Sequence, residues 1–322
     1  KVGRFILLLY LKRGNMMKPN KYMLVRKMEK EKEKFVHQMG LLLDEMVNYG
    51  THVLDICEKE KPFTELDTPI GTTYTQFLSM LDGISILIRK GNGDAIKPVL
   101  RSLLETKFNL EYLIKVEPEK GVLAYKLAHI HNQIKQLKRL DQKSDQGREF
   151  SKTIGDVELP TNNSNKRLQL LEDKLKSPKY KKVQEEWDRL KKQYKKEPLW
   201  HALFQGQRTV KDIADFLEQS VYYSIVYKEL SEDVHGGSTI KRLKKSAEDN
   251  IGISPGIRRI EEIPAMAYLS IKFAEEVFSV MIKEYNSKEY ADFYGWFNKN
   301  IALEHEKIAF IRVDTNHQLQ KQ

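Results

Sequence analysis

The chain has 322 residues, 40% of them hydrophobic, enough for one large domain or two small ones around a real core. Its single cysteine, Cys57, excludes an intramolecular disulfide and a CxxC metal site, fits a reducing cytoplasm, and reads as a buried structural thiol. The net charge of +10 is peripheral: residues 1–34 carry +8 and residues 166–197 carry +6, which leaves the remainder at −4. A polyanion would therefore meet the outer segments first, unless their lysines are only a solvated surface.

In chain order, the sequence opens on Lys1, and Met16 or Met17 is a candidate natural start. Phe5–Leu11 is apolar but far below the ~20 residues that span a bilayer. Residues 1–27 read as an accessory segment whose one membrane role would be a surface contact. Apolar positions recurring at three or four residues predict an amphipathic helix from Met28 to about Cys57. A second helix is expected from Thr73 to Arg89, stopped by Gly91-Asn-Gly93, with Asp94 as N-cap of a third.

The third helix, Ala95–Val116, is apolar over much of its circumference. Arg101 and Glu105 lie four apart on one face of it. On so apolar a helix at least one of them is expected to be buried and to need a partner. Pro118 opens a fourth helix ending at Leu140, where His129 and His131 point to nearly opposite sides and cannot share a metal. Residues 141–165 read as loop. Two lysine-rich amphipathic helices follow, split at Ser177-Pro178 and carrying Leu168–Leu175 and Tyr180–Tyr194. Their Trp187 and tyrosines either stack on bases or, the favoured reading, face the core with the lysines outside.

From Arg208 or Thr209 a long apolar helix is expected to run to Gly236-Gly237. Near its end Tyr227, Ser231 and His235 sit four apart, on one stripe that drifts by roughly 40° per step. A short basic helix around Lys241–Lys245, a turn at Gly252–Gly256, a long apolar helix Ile263–Tyr285 and a last helix from Lys288 to Ile311 complete the chain. The fold class is all-α, a multi-helix bundle with a lysine-rich helical insertion. Residues 28–140 and 198–311 form one helical domain, 141–197 the loop and basic insertion, and 312–322 a tail.

The P-loop, GxGxxG, HExxH and GxSxG signatures are absent, and no carboxylate pair has the spacing of a metal clamp. Neither a cofactor nor a metal is expected. The candidate catalytic residues are Arg101, Glu105, Tyr227, Ser231 and His235, with Asp82 inside the second helix. An imidazole, hydroxyls and a guanidinium brought together suit general acid–base chemistry on a phosphate. The same groups also suit a buried hydrogen-bond network that sets helix register.

Arg101-Ser-Leu-Leu-Glu105 followed by Tyr112-Leu, then Trp200, then Tyr227-x-x-Leu-Ser231-x-x-x-His235-Gly resembles a widespread bacterial domain-of-unknown-function family over about Thr73–Gly237. That family is all-helical and distantly similar to the HEPN class, many of whose members are ribonucleases of toxin–antitoxin and phage-defence systems. The resemblance implies a cytoplasmic protein acting on RNA or a nucleotide, with His235 as acid/base, Arg101 on phosphate, and Glu105 and Tyr227 orienting them. The HEPN signature is Arg, four to six residues, then His. His235 has no Arg at that distance, whereas Arg312–His317 has the spacing but lies in the polar tail. Two alternatives stay open: a non-catalytic interaction or scaffold protein, and a nucleic-acid-binding protein using the basic insertion. A second copy of the chain is a further candidate partner.

Overall fold

The computed structural model describes residues 26–141, 144–154, 164–234, 244–245, 252–253 and 256–309. The 3.6-residue apolar period of the first third becomes three successive helices: α1 (Lys30–Glu60), α2 (Thr68–Arg89) and α3 (Gly93–Lys115). α2 starts earlier than its apolar pattern suggests. Pro69 sits in its first turn, where a backbone N–H has no helical partner to lose. α3 likewise starts at Gly93, so Asp94 is in its first turn instead of capping it, and pairs with Arg259 at 3.4 Å.

α1 packs on α2 and α2 on α3, and α10 (Ile263–Tyr285) closes the bundle against α1 and α3. α10 is apolar nearly all round and buries Met266, Ile271, Phe273, Val277, Phe278, Met281 and Ile282. Each such side chain contributes about 1.5–3 kcal/mol when it leaves water. Where α1, α2 and α10 come closest, α1 carries Gly50. A Cβ there would stand 2.4 Å from Leu78 and 2.7 Å from Phe278. The Tyr74 hydroxyl donates to the Gly50 carbonyl at 2.7 Å and ties the same crossing. Cys57 is buried and reduced beside α10, and burial pushes its thiol pKa up to about 12, as suits a packing residue.

A second core lies on the far side of α4 (Ala124–Leu140), which follows a π turn at Glu119–Leu123. Against α4 come α5 (Asp145–Ile154), α6 (Ser164–Leu175), a 3-10 turn at Pro178–Tyr180, α7 (Lys181–Tyr194) and a 3-10 segment at Trp200–Gln205. Leu127, Ile130, Tyr180, Val183, Trp187, Leu190 and Leu203 fill the space between them. The insertion therefore packs on the body through its aromatics and turns its lysines outward. Part of the expected loop 141–165 is helix α5. Its polar residues form an exposed face, so the composition of a loop and that of a surface helix coincide there.

The long helix expected from residue 210 is broken. Thr209 caps α8 (Val210–Phe216) through a capping box with Asp212. The chain then turns at Leu217–Gln219, with Glu218 at φ +63°, before a π turn at Tyr222–Tyr227 leads into α9 (Lys228–Val234). A non-glycine residue at positive φ costs about 1–3 kcal/mol. Here the turn delivers Gln219 to polar partners on α3.

Lys244–Lys245, expected in a basic helix, is strand β1. It pairs antiparallel with β2, Gly252–Ile253, where a turn was expected. The last predicted helix is segmented into α11 (Tyr290–Phe297), a π turn at Asn298–Ala302 and α12 (Leu303–Ala309). Among the described residues extended pairing is limited to β1–β2 and a bridge from Asn92 to Arg259, and the fold is all-α. No helix of the described residues is long and apolar enough to cross a membrane. The expectations for Phe5–Leu11, Met16, Met17, His235, Gly236-Gly237, Lys241, Arg312 and His317 lie outside the described residues.

Candidate functional site

The i, i+4 spacing of α3 sets Lys97, Arg101 and Glu105 along one stripe. The π turn and α9 lie against it. Tyr227 reaches Arg101 and Glu105 together. Arg101 Nη2 donates to the Tyr227 hydroxyl at 2.7 Å, and that hydroxyl donates to Glu105 Oε1 at 2.7 Å. Arg101 Nη2 also stands 3.1 Å from Glu105 Oε1, which closes a triangle. The guanidinium carbon is 4.8 Å from the centre of the Tyr227 ring, and Tyr223 stacks on the same ring at 5.1 Å.

The electrostatics follow from this packing. Burial raises the Tyr227 pKa, with the Glu105 carboxylate adding to the rise and Arg101 opposing it. The hydrogen bond to Tyr227 raises the Arg101 pKa against its desolvation. At neutral pH Tyr227 therefore keeps its phenolic proton and Arg101 its charge. The Arg101 side chain is 22% exposed, and among the described residues only Nη2 is used: Nη1 has no hydrogen bond, and Nε is buried without one.

One turn before Arg101, Lys97 Nζ lies 2.7 Å from Asp233 Oδ2 and 2.5 Å from Glu262 Oε2. Burial works against its charge, but the two carboxylates outweigh it and raise its pKa. This pair fastens the end of α9 to α3, two positions before His235 in sequence.

Of the sequence candidates, Arg101, Glu105 and Tyr227 are thus brought together, and Ser231 lies half-buried on α9 one turn beyond Tyr227. Asp82 is not part of the group. It is exposed on the outer side of α2, whose neighbouring Leu81 and Ile84 face the core, and it shares no hydrogen bond or ion pair with the cluster. His235 lies outside the described residues.

Sequence reasoning missed a second polar group on the same helix. The Lys107 side chain is 0% exposed, and its ammonium is held at 2.8 Å by Glu111, 3.0 Å by Glu276 and 2.5 Å by Gln219. Gln219 in turn donates to Glu111 at 2.6 Å, and Tyr222 donates to Glu276 at 2.7 Å. The signal was present in Lys107 and Glu111, four apart in the apolar stretch Leu103–Leu113.

Among the described residues no group of three or more His, Cys, Asp or Glu is placed to hold a metal ion. Where the insertion meets the segment that follows it, a cleft of about 660 Å³ is lined by Arg189, Lys196, Glu197 and Arg208 together with Tyr194.

The model of a family of unknown function, DUF5677, matches residues 67–253. The chain belongs to that family. The DUF5677 match runs from the turn before α2 to β2, so it contains both sides of the Arg101–Tyr227 contact and the whole insertion. α1 and α10, which complete the main core, lie outside it. No curated protein and no solved structure matches the chain.

Proposed function

We propose that this DUF5677 protein is cytoplasmic and acts on RNA or a nucleotide at the seam between α3 and α9, in the manner of the HEPN-like ribonucleases of phage defence and toxin–antitoxin systems. One observation carries the reading: Arg101 is pinned through Nη2 by Tyr227 and Glu105, while its Nη1 has no hydrogen bond among the described residues and its side chain is partly exposed. A preorganised guanidinium of this kind suits a phosphate, whose charge it would stabilise as a bond to phosphorus breaks. Glu105 and Tyr227 hold its plane. His235, two residues beyond the anchored Asp233, would move the proton.

The test is cleavage of total RNA by purified protein, with His235→Ala and Arg101→Lys alongside. Cleavage that falls about 100-fold or more in His235→Ala supports the reading. Equal cleavage by wild type and His235→Ala, or none by either, overturns it.

A second reading, a non-catalytic interaction or scaffold protein, is favoured by the closure of the triangle, in which the phenol uses both its donor and an acceptor site internally. In that case Arg101→Ala and His235→Ala lower Tm and nothing else. Lost RNA cleavage at an unchanged Tm would count against it.

A further inference from the structure

A cavity of about 620 Å³ opens where α2, α3, α4 and α6 meet, on the boundary between the two cores. That volume is in the range of small-molecule sites, roughly 300–1,000 Å³. Three helices each supply a carboxamide to its wall: Gln76 from α2, Asn109 from α3 and Gln133 from α4. Among the described residues no carboxylate lines it, and Lys126 and Lys174 do. Lys126 is occupied by Glu65, at 2.8 Å to its carbonyl and 3.2 Å to its carboxylate. Lys174 makes no ion pair among the described residues. Two wall residues, Thr73 and Tyr180, are 7% and 0% exposed, and the hydroxyl of each is buried without a hydrogen-bond partner.

We propose that this cavity binds a nucleoside 5′-monophosphate. A carboxamide presents a donor and an acceptor side by side, the pattern that pairs with the edge of a base. Tyr125 and His129 belong to the same wall, and base stacking is assigned to their rings. Lys174, at the α6 side, supplies the charge for the phosphate. The absence of carboxylates from the wall removes the repulsion an anion would meet and the attraction a cationic ligand would need. Sugar phosphates share the anionic half of this chemistry but leave the three carboxamides and the ring faces without a planar partner. The proposal goes beyond the reading of the Arg101 cluster and needs no catalysis there.

The experiment is calorimetric titration of the full chain with AMP, GMP, CMP and UMP, with adenosine and ribose 5-phosphate as arms lacking the phosphate or the base. One nucleotide is expected to bind one to one, with ribose 5-phosphate at least tenfold weaker. Asn109→Ala and Gln133→Ala, both surface-accessible positions, should weaken the nucleotide tenfold or more with Tm unchanged. Lys174→Ala should weaken the nucleotide and leave adenosine unaffected. No heat from any nucleotide up to about 1 mM, a ligand weaker than any with a claim to the site, overturns the proposal. So does binding that survives both carboxamide variants, or ribose 5-phosphate binding as tightly as the nucleotide. Binding lost only in Arg101→Ala overturns it as well, by placing the nucleotide at the cluster. Failure of the pocket variants alone leaves the reading of the cluster standing.

Discussion

α3 carries two oppositely charged pairs with identical spacing, Arg101–Glu105 and Lys107–Glu111, and the fold treats them in opposite ways. Lys107 and Glu111 are buried, at 0% and 7% side-chain exposure, and a third charge, Glu276, is drawn in from α10. Arg101 and Glu105 keep 22% and 35% of their surface and borrow one phenol. A buried cation held between two carboxylates and a carboxamide is a device for holding helices in register. A partly exposed cation whose Nη1 has no hydrogen bond among the described residues can still receive something. The five residues between Arg101 and Lys107 thus divide a structural network from a candidate site.

The comparison breaks most sharply at Lys107. Lys107→Met removes the cation and leaves the Glu111 carboxylate buried, at 7% exposure, beside the partly exposed Glu276. Denaturant unfolding should show a loss of about 3–5 kcal/mol, the usual consequence of orphaning a buried charge. A loss under about 1 kcal/mol would mean that water reaches the site and that the two pairs are alike after all.

Arg101→Ala should cost less, about 1.5–3 kcal/mol, because Glu105 and Tyr227 regain access to solvent when the guanidinium goes. If its cost matches that of Lys107→Met, the cluster is as structural as the buried network, and the scaffold reading gains. Tyr227→Phe should cost still less, about 1 kcal/mol, since Arg101 and Glu105 remain 3.1 Å apart and still pair directly. A larger effect on RNA cleavage than on unfolding would assign the phenol to positioning Arg101.

How much of this was legible in the sequence follows the range of the forces involved. α1, α2, α3 and α10 carry a sustained apolar period, and their placement was readable to within a few residues. The meeting of Arg101, Glu105 and Tyr227 was also readable, because polar groups on two strongly apolar helices must find one another or water. Lys107 was not, since a lysine in an apolar helix ordinarily snorkels to the surface, and its partners Gln219 and Glu276 come from elements far along the chain. The same cause hid the break at Leu217–Gln219: nothing local to Glu218 demands a positive φ, and the turn is set by Gln219 reaching α3. α5 was hidden because its ten residues are mostly polar and include Gly147, the composition of a loop.

The smallest effect separates the two networks by their tyrosines at high pH. Tyr222 donates to Glu276 beside Lys107, and burial together with Glu276, Glu111 and Glu275 raises its pKa. Burial also raises the Tyr227 pKa, but there Arg101 pulls the other way. A phenol whose folded pKa lies above its unfolded value binds its proton more tightly in the native state. Its stabilising contribution is whole below about pH 10, the ordinary tyrosine value, and is lost as pH rises through the folded pKa. Unfolding should therefore become easier above about pH 10, and removing either hydroxyl should flatten that decline. Tyr222→Phe should flatten it more than Tyr227→Phe, because no cause of its shift opposes the others. Urea midpoints measured across the alkaline range for the two variants decide the order. A steeper limb left by Tyr222→Phe than by Tyr227→Phe would place the stronger local field at the Arg101 cluster, and the division of α3 into a structural and a receptive half would have to be reversed.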